Sequence, residues 1–462
     1  MAAKKRSVPG LRRNSCVRRS GVRQLAAAFT QAGLLAVEPR TMPWKARPRA
    51  SSRDQSSSKL PHSRALRAFS CTLVSRRLMP IFARNDRWRG TFIPSGGRKG
   101  HVTLGEMLAL LALVVFVALL AGCAKPTTNA AEPRLPAGSI LLTGAGATFP
   151  SPLYNRWFAA YHQEYPQTFV KYTPVGSAEG VRRFIGNNIS EDQRIDFGAS
   201  DAAMQDVELA QADNNVLMVP ATAGCVVLAY NLPGLEGTLR LSRRAYAGIF
   251  LGEIKNWNDP LIAQSNPGAR LPDLTIVTAV RQDGSGTTFA FTKHLDAISE
   301  RWRSQYGPAT LVNWPGDAMR ATGNEGVAGL IEKSQGSIGY VGYEFARRIA
   351  LPVAMLENKE GKFVEPSAES CGAALATAQL PDNLRAFVPD PSGENSYPIV
   401  TFSWILLRQK YASAETATAV RDLFRWCLLE GQKYAPALDY LPLPASVAQK
   451  ALVALNSINS GG

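Results

Sequence analysis

The chain has 462 residues with 52 Lys+Arg against 36 Asp+Glu, a formal net charge of +16, but the excess sits at one end. Residues 1–100 hold 23 basic and three acidic side chains, leaving 29 basic and 33 acidic in residues 101–462, so the remainder makes no case for a nucleic-acid partner. Six cysteines and four histidines, none at the spacing of a zinc site, exclude a zinc framework, and neither metal nor cofactor is expected.

Residues 1–106 are rich in Arg, Ser and Pro, with short aperiodic apolar runs that cannot bury a core. A nucleic-acid-binding arm and an organellar transit peptide are the functional readings. We prefer upstream sequence included by a mistaken start site, because an export signal follows. Leu108–Leu120 is an uncharged apolar run of h-region length, short of the ~20 residues that span a bilayer. It ends in Leu120-Ala121-Gly122-Cys123, which resembles the lipobox of bacterial lipoproteins and implies that Cys123 is lipidated. The signal is thus residues 107–123, and the nearest upstream cations, Arg98 and Lys99, favour Met79 over Met107 as the start. Residues 124–138, rich in Ala, Pro and Thr, read as a tether.

Beyond the lipobox remain Cys225, Cys371 and Cys427, so at most one disulfide can form; Cys225, in an apolar run, reads as a small buried hydrophobe. His162 and His294 fall in helical patterns and read as solvated.

Strands and helices then alternate, joined by Gly-rich turns that carry hydroxyls. Ile140-Leu141-Leu142 is a strand; Thr143 to Pro152 form a turn; Leu153, Trp157 and Tyr161 recur at four-residue spacing as the apolar stripe of a helix that Pro152 helps to start. Phe169–Tyr172 is a second strand, and Val175-Gly176-Ser177 opens a second helix. Asp196–Asp201 is a short strand ending in an acid. The run Leu274–Val280 is followed by Arg281-Gln282-Asp283-Gly284-Ser285-Gly286-Thr287-Thr288 and a helix through Leu295. Glycines let the backbone approach a ligand, and hydroxyls at a helix start meet free N–H groups and a partial positive charge, which together suit an oxyanion. Arg281 adds a planar cation, and Asp283 can hold it. One such turn is equally an ordinary capped helix; three on successive units argue for an α/β fold whose helix N-termini converge on one anion.

Thr143–Pro150, Asp196–Asp201 and Asp283–Thr287, with Leu251–Trp257 and Gly336–Val341, resemble in sequence and order the signature stretches of the phosphate-binding proteins of ABC phosphate importers. The resemblance implies a two-lobed, type II periplasmic-binding α/β fold with two hinge strands: residues 139–222 and 400–462 as lobe 1, residues 223–399 as lobe 2. It also implies high-affinity binding of inorganic phosphate and delivery to permease subunits that work with ATPase subunits, on the periplasmic or extracytoplasmic face, lipid-anchored to a membrane. The family's ligand contacts fall on Thr148, Phe149, Ser177 and Asp201 in lobe 1 and on Arg281, Ser285, Gly286 and Thr287 in lobe 2, with Asp283 in support.

Asp201 bears on selectivity. A carboxylate beside an anion is repulsive unless the ligand brings a proton, which phosphate does near neutral pH and sulfate does not; an unmatched acceptor would cost ~1–3 kcal/mol plus the repulsion. Its alternative reading is an N-cap for a helix starting at Ala202. Glu179, two residues beyond Ser177, departs from the family's small residues and adds negative charge near the anion, and Ser190–Arg194 lengthens a loop. The competing readings are another tetrahedral oxyanion, which Asp201 disfavours, and a phosphate-ester hydrolase using Ser285, for which neither histidine stands in a motif and no Gly-x-Ser-x-Gly elbow exists. No enzymatic activity is expected.

Overall fold

The computed structural model describes Gly105 and residues 135–460; the rest of the basic extension, the h-region, Cys123 and residues 124–134 of the tether lie outside the described residues. The described chain opens with alternating elements: β1 (Ile140–Gly146), α1 (Ser151–Glu164), β2 (Thr168–Pro174), α2 (Ser177–Ile185), β3 (Phe197–Ser200) and α3 (Asp206–Gln211). β1 pairs parallel with β2 on one side and with β3 on the other. Their C-terminal ends therefore share one edge, where ligands of open α/β sheets are bound. The Leu153, Trp157 and Tyr161 stripe of α1 is buried.

β4 (Val216–Asn231) is unusually long, and all but its three end residues are buried. After it come β5 (Arg240–Leu241), α4 (Arg243–Phe250), α5 (Pro260–Ala263), β6 (Val277–Arg281), α6 (Gly286–Ile298), α7 (Glu300–Gln305), β7 (Met319–Ala321) and α8 (Gly323–Lys333). β8 (Ser337–Gly342), α9 (Tyr343–Arg348), β9 (Met355–Glu357), β10 (Phe363–Val364), α10 (Ala368–Ala376), β11 (Val400–Arg408), α11 (Ala414–Leu429) and α12 (Ala445–Leu455) complete the main elements. Eight strands form one sheet in the order β2-β1-β3-β11-β4-β8-β6-β7. β4 carries the chain from one half of it to the other: Val216 to Cys225 pair with β11, and Val226 to Asn231 pair with β8, both antiparallel. β8, β6 and β7 then run parallel, so a second set of strand ends faces the first.

The β4–β11 ladder is bulged between Ser403 and Trp404, opposite Thr222 and Pro220. Proline has no N–H for a ladder, so a bulge is where a buried strand can hold it. Each half has its own aromatic core. Tyr154, Phe158, Tyr172 and Phe197 pack ring against ring in the first; Phe250, Phe291, Trp314 and Tyr340 do so in the second.

Two expectations fail here. Cys225 is not merely a hydrophobe: it is bonded to Cys371 of α10, with Cα atoms 6.0 Å apart, tying that helix to β4. The partner lies 146 residues away in sequence, beyond what an apolar run around Cys225 can signal. His294 is fully buried rather than solvated. Its ring is held between the Tyr246 hydroxyl, 2.9 Å from Nε2, and the Pro389 carbonyl, 2.6 Å from Nδ1. Burial holds its pKa down at about 4, so it is neutral at pH 7. His162 is partly buried, its Nδ1 3.0 Å from the Thr168 carbonyl.

Candidate functional site

The site grows from three turns at strand ends. After β1 the chain bends at Gly146, whose φ of 148° and contact with the Ala199 backbone leave no room for a side chain. Gly146 O accepts the N–H groups of Val175 and Gly176, at 2.9 Å each, which fastens the first turn to the second. Thr148 and Phe149 then lead into α1, and the Phe149 carbonyl accepts the Tyr440 hydroxyl at 2.5 Å while its ring packs edge-on against Tyr440. The second turn opens α2 at Ser177. The third, after β6, opens α6 behind Ser285, which caps it by accepting the Thr288 N–H at 3.1 Å.

The third turn meets the second turn and the end of β3 directly. Ser177 Oγ accepts the Gly286 N–H at 3.0 Å and the Asp201 N–H at 3.3 Å, and the Ala178 N–H donates to Gly284 O at 3.0 Å. A Cβ on Gly286 would lie 2.6 Å from both Asp201 Cβ and Ser177 Oγ, so only glycine fits. The expected residues Thr148, Phe149, Ser177, Asp201, Arg281, Ser285, Gly286 and Thr287 are all buried and gather where the two halves of the sheet meet.

Arg281, 2% exposed, ends β6. Its Nε donates to Asp283 Oδ1 at 2.7 Å and its Nη2 to Asp283 Oδ2, while the Gly323 N–H reaches Asp283 Oδ1 at 3.1 Å. Burial would raise the Asp283 pKa, but the guanidinium's hydrogen bonds and charge and the Gly323 N–H outweigh it and hold the carboxyl below its usual value. The remaining nitrogen, Nη1, is buried and has no hydrogen-bond partner among the described residues.

The hydroxyls repeat this pattern. Thr148, Ser177, Ser285 and Thr287 each accept a hydrogen bond, and none donates one among the described residues. Buried O–H and N–H groups without acceptors cost ~1–3 kcal/mol apiece, so the site is a cluster of unused donors. The carboxylate set among them is Asp201, 1% exposed. It caps no helix: α3 starts at Asp206, behind a box formed by Gln205 and Glu208. Asp201 Oδ1 accepts the Ser403 hydroxyl at 2.7 Å, and its carbonyl accepts that of Thr401 at 3.3 Å. Burial pushes the carboxyl up to about 7; the Ser403 hydrogen bond and the Arg281 charge hold it below what burial alone would give.

Glu179, expected to add charge near the anion, is taken up locally. Its oxygens accept from Arg182 at 2.7 and 2.8 Å and from Arg183 at 2.8 Å, and the Arg182 hydrogen bond, followed by that of Arg183, brings its pKa down to about 2. The segment around Ser190–Arg194 is an exposed loop with one short 3-10 turn.

Four residues escaped the sequence reading. Ser403 and Tyr440 hold Asp201 and Phe149, as above. Asn324, at the start of α8 and fully buried, donates from Nδ2 to Thr148 Oγ1 at 3.1 Å and to Thr287 Oγ1 at 3.2 Å. Glu344 of α9 is buried with both carboxylate oxygens unpartnered among the described residues, folded over Gly342, where a Cβ would lie 2.3 Å from Oε1. Burial, with repulsion from Asp201 and Asp439, raises its pKa well above the carboxylate range. Its only local signal is Gly342, whose missing side chain makes the space. Among the described residues, no group of three or more His, Cys, Asp or Glu could hold a metal ion.

Residues 124–428 match the model of the PBP superfamily domain. The phosphate-binding protein PstS of Pasteurella multocida is 42% identical over 312 residues, 67% of this chain and 88% of that protein. The phosphate-binding protein PstS of Methanocaldococcus jannaschii is 34% identical over 378 residues, 76% of this chain and 96% of its own. The chain belongs to the PstS phosphate-binding protein family. Among solved structures, PfluDING, described as a high affinity periplasmic phosphate-binding protein bound with phosphate, superposes with a TM-score of 0.58 at 23% identity, covering 68% of this chain and 93% of that one. A phosphate-binding protein from Stenotrophomonas maltophilia gives 0.56 at 21% identity, covering 68% and 94%. The fold shared with these solved structures is the type II periplasmic-binding fold, and in this chain β4 is the strand that pairs with both halves of the sheet, with β11 beside it.

Proposed function

We propose that the protein binds inorganic phosphate outside the cytoplasmic membrane and delivers it to the permease subunits of an ABC phosphate importer driven by its ATPase subunits. The observation that carries this reading is the buried Arg281 Nη1, unpartnered among the described residues while Asp283 fixes the rest of the guanidinium. A fixed cation with one free edge, four hydroxyls with protons to give and one carboxylate suit a tetrahedral anion that carries a proton. Thr148, Ser177, Asp201, Arg281, Ser285 and Thr287 are the proposed side-chain contacts, with the backbone N–H of Phe149 and that of Gly286, which would exchange Ser177 Oγ for the ligand. Residues 139–222 with 400–462 form one proposed lobe and residues 223–399 the other.

Isothermal titration of the protein with phosphate and with sulfate tests the reading. Binding of phosphate in clear preference to sulfate is expected; equal binding, or none of phosphate, overturns it.

Ester hydrolysis finds no support around Ser285, whose oxygen is engaged in capping α6, and neither His162 nor His294 bonds to a site residue. The protein is proposed to be a receptor and not an enzyme. Anchoring through a lipid on Cys123 is proposed from the Leu120–Cys123 motif. Mass spectrometry of membrane-extracted protein tests it, and a chain whose Cys123 is unmodified and internal rules it out. Among the described residues no helix is long and apolar enough to cross a membrane.

A further inference from the structure

Asn324 joins the two halves of the site through one amide. Its Oδ1 accepts the Gly342 N–H at 3.0 Å, which fixes the orientation of the group, since the nitrogen end cannot face another donor. Nδ2 then has two protons and two receivers, Thr148 Oγ1 at 3.1 Å and Thr287 Oγ1 at 3.2 Å. Thr148 Oγ1 also accepts the Asn324 N–H at 3.3 Å. A hydroxyl owns one proton and two lone pairs. With both lone pairs of Thr148 engaged and one of Thr287, each oxygen has its proton left over; Thr148 is a committed donor, and Thr287 is restricted to one remaining lone pair and its proton.

We propose that Asn324 is a positioning residue for the anion: it closes Thr148 as an acceptor and occupies one lone pair of Thr287, so that the protons of both hydroxyls are left for a ligand oxygen. The inference rests on the phosphate-binding reading and deepens it. Thr148 is closed to the ligand's proton and Thr287 has only one lone pair left, which favours Asp201 as the acceptor. One amide thereby prepares donors from both halves of the sheet before the ligand arrives, with no rotor to reorganise on binding.

The experiment is a double-mutant cycle on the whole protein, read by phosphate titration. Asn324→Ala frees the Thr287 rotor and leaves Thr148 held only by the backbone N–H of residue 324, and phosphate affinity falls about tenfold. In a Thr148→Val, Thr287→Val background, which lacks both hydroxyls, the same substitution changes affinity less than about twofold, because the residue acts through them. Equal losses in the two backgrounds, or no loss in the parent, overturn the proposal. Asn324→Asp separates positioning from simple packing: it keeps the size and the Gly342 contact but accepts where the amide donates, drawing both hydroxyl protons away from the ligand. Affinity then falls further than for Asn324→Ala, the added negative charge contributing to the loss, so the decisive result is the reverse order, which overturns the proposal. Thermal melts identify any variant that is unfolded, and the Asp variant, isosteric with the parent, serves if the Ala variant is. Phosphate titration of the parent, with Arg281→Ala as the negative control, separates the outcomes: a parent that ignores phosphate sinks the underlying reading, whereas a parent that binds without coupling sinks only the role of Asn324.

Discussion

The turn after β6 and the turn after β3 each bring a desolvated carboxylate to the same place, with opposite results. Asp283 faces the Arg281 guanidinium at 2.7 Å and a backbone N–H, and is held below its usual pKa. Asp201 has one hydroxyl on its carboxylate and no cation in contact among the described residues, and is pushed up to about 7. Loss of water thus leaves a permanent anion in one turn and a proton-sensitive group in the other, because pairing outweighs desolvation only where the geometry is bidentate. The division of labour follows: Asp283 fixes a cation, and Asp201 remains a titratable acceptor.

The largest effect should come from breaking the paired turn. Arg281→Ala removes the fixed cation and strands a half-buried Asp283, so phosphate affinity should fall by about 3–5 kcal/mol in titration. Arg281→Lys restores the charge without the fork and should recover only part of the loss. If both variants bind as the parent does, the β6 turn is not the anion's cradle and the comparison has no functional meaning.

A smaller effect concerns stability. A carboxyl whose folded pKa is raised stabilises the fold while protonated in both states, below about 4, and that contribution is lost as pH rises toward about 7. A tenfold change in proton affinity between the unfolded and folded states corresponds to ~1.4 kcal/mol, so the cost of an ionised Asp201 is on the order of a few kcal/mol. Asp201→Asn, which cannot ionise, should therefore melt higher than the parent at pH 8 without phosphate, and near the parent below about pH 4. Asp283 has the opposite sign: its depressed pKa supports the fold above the usual carboxylate value, and that support is lost on acidification. Melting curves of Asp201→Asn that track the parent at every pH would show that Asp201 is ionised without cost.

These turns were legible because their chemistry is local. Arg281 and Asp283 are two residues apart, and Ser177 and Ser285 stand at the helix starts that their glycines open. What holds the turns was not. Asn324 meets Thr148 across 176 residues, Ser403 meets Asp201 across 202, and Tyr440 meets Phe149 across 291. A single sequence carries periodicity and turn chemistry but no record of which distant polar side chain satisfies a buried group, and Asn, Ser and Tyr look the same at a surface as in a site. The β4–β11 crossing was legible from the resemblance, whereas the Cys225–Cys371 bond was not, for the same reason of distance. The charge of Glu179 near the anion is visible in the sequence, while the geometry of its two arginine partners is not.

The smallest effect, and the one that probes the unpaired turn itself, is on selectivity. An ionised Asp201 can accept from protonated phosphate and repels sulfate, but a protonated Asp201 can donate, and the distinction fades. Because the carboxyl sits at about 7, the phosphate-to-sulfate affinity ratio of the parent should shrink as pH is lowered from 8 to 6. In Asp201→Asn the group can donate at every pH, so the ratio should already be smaller at pH 8, by about tenfold, the equivalent of one hydrogen bond to a charged group. Phosphate's own ionisation affects parent and variant alike and cancels when the two are compared. Competition titrations at several pH values give both curves. Parallel curves, with the variant's ratio moving as the parent's does, would mean that the proton on Asp201 has no part in choosing the anion, and that selectivity must then come from the donor set around Arg281.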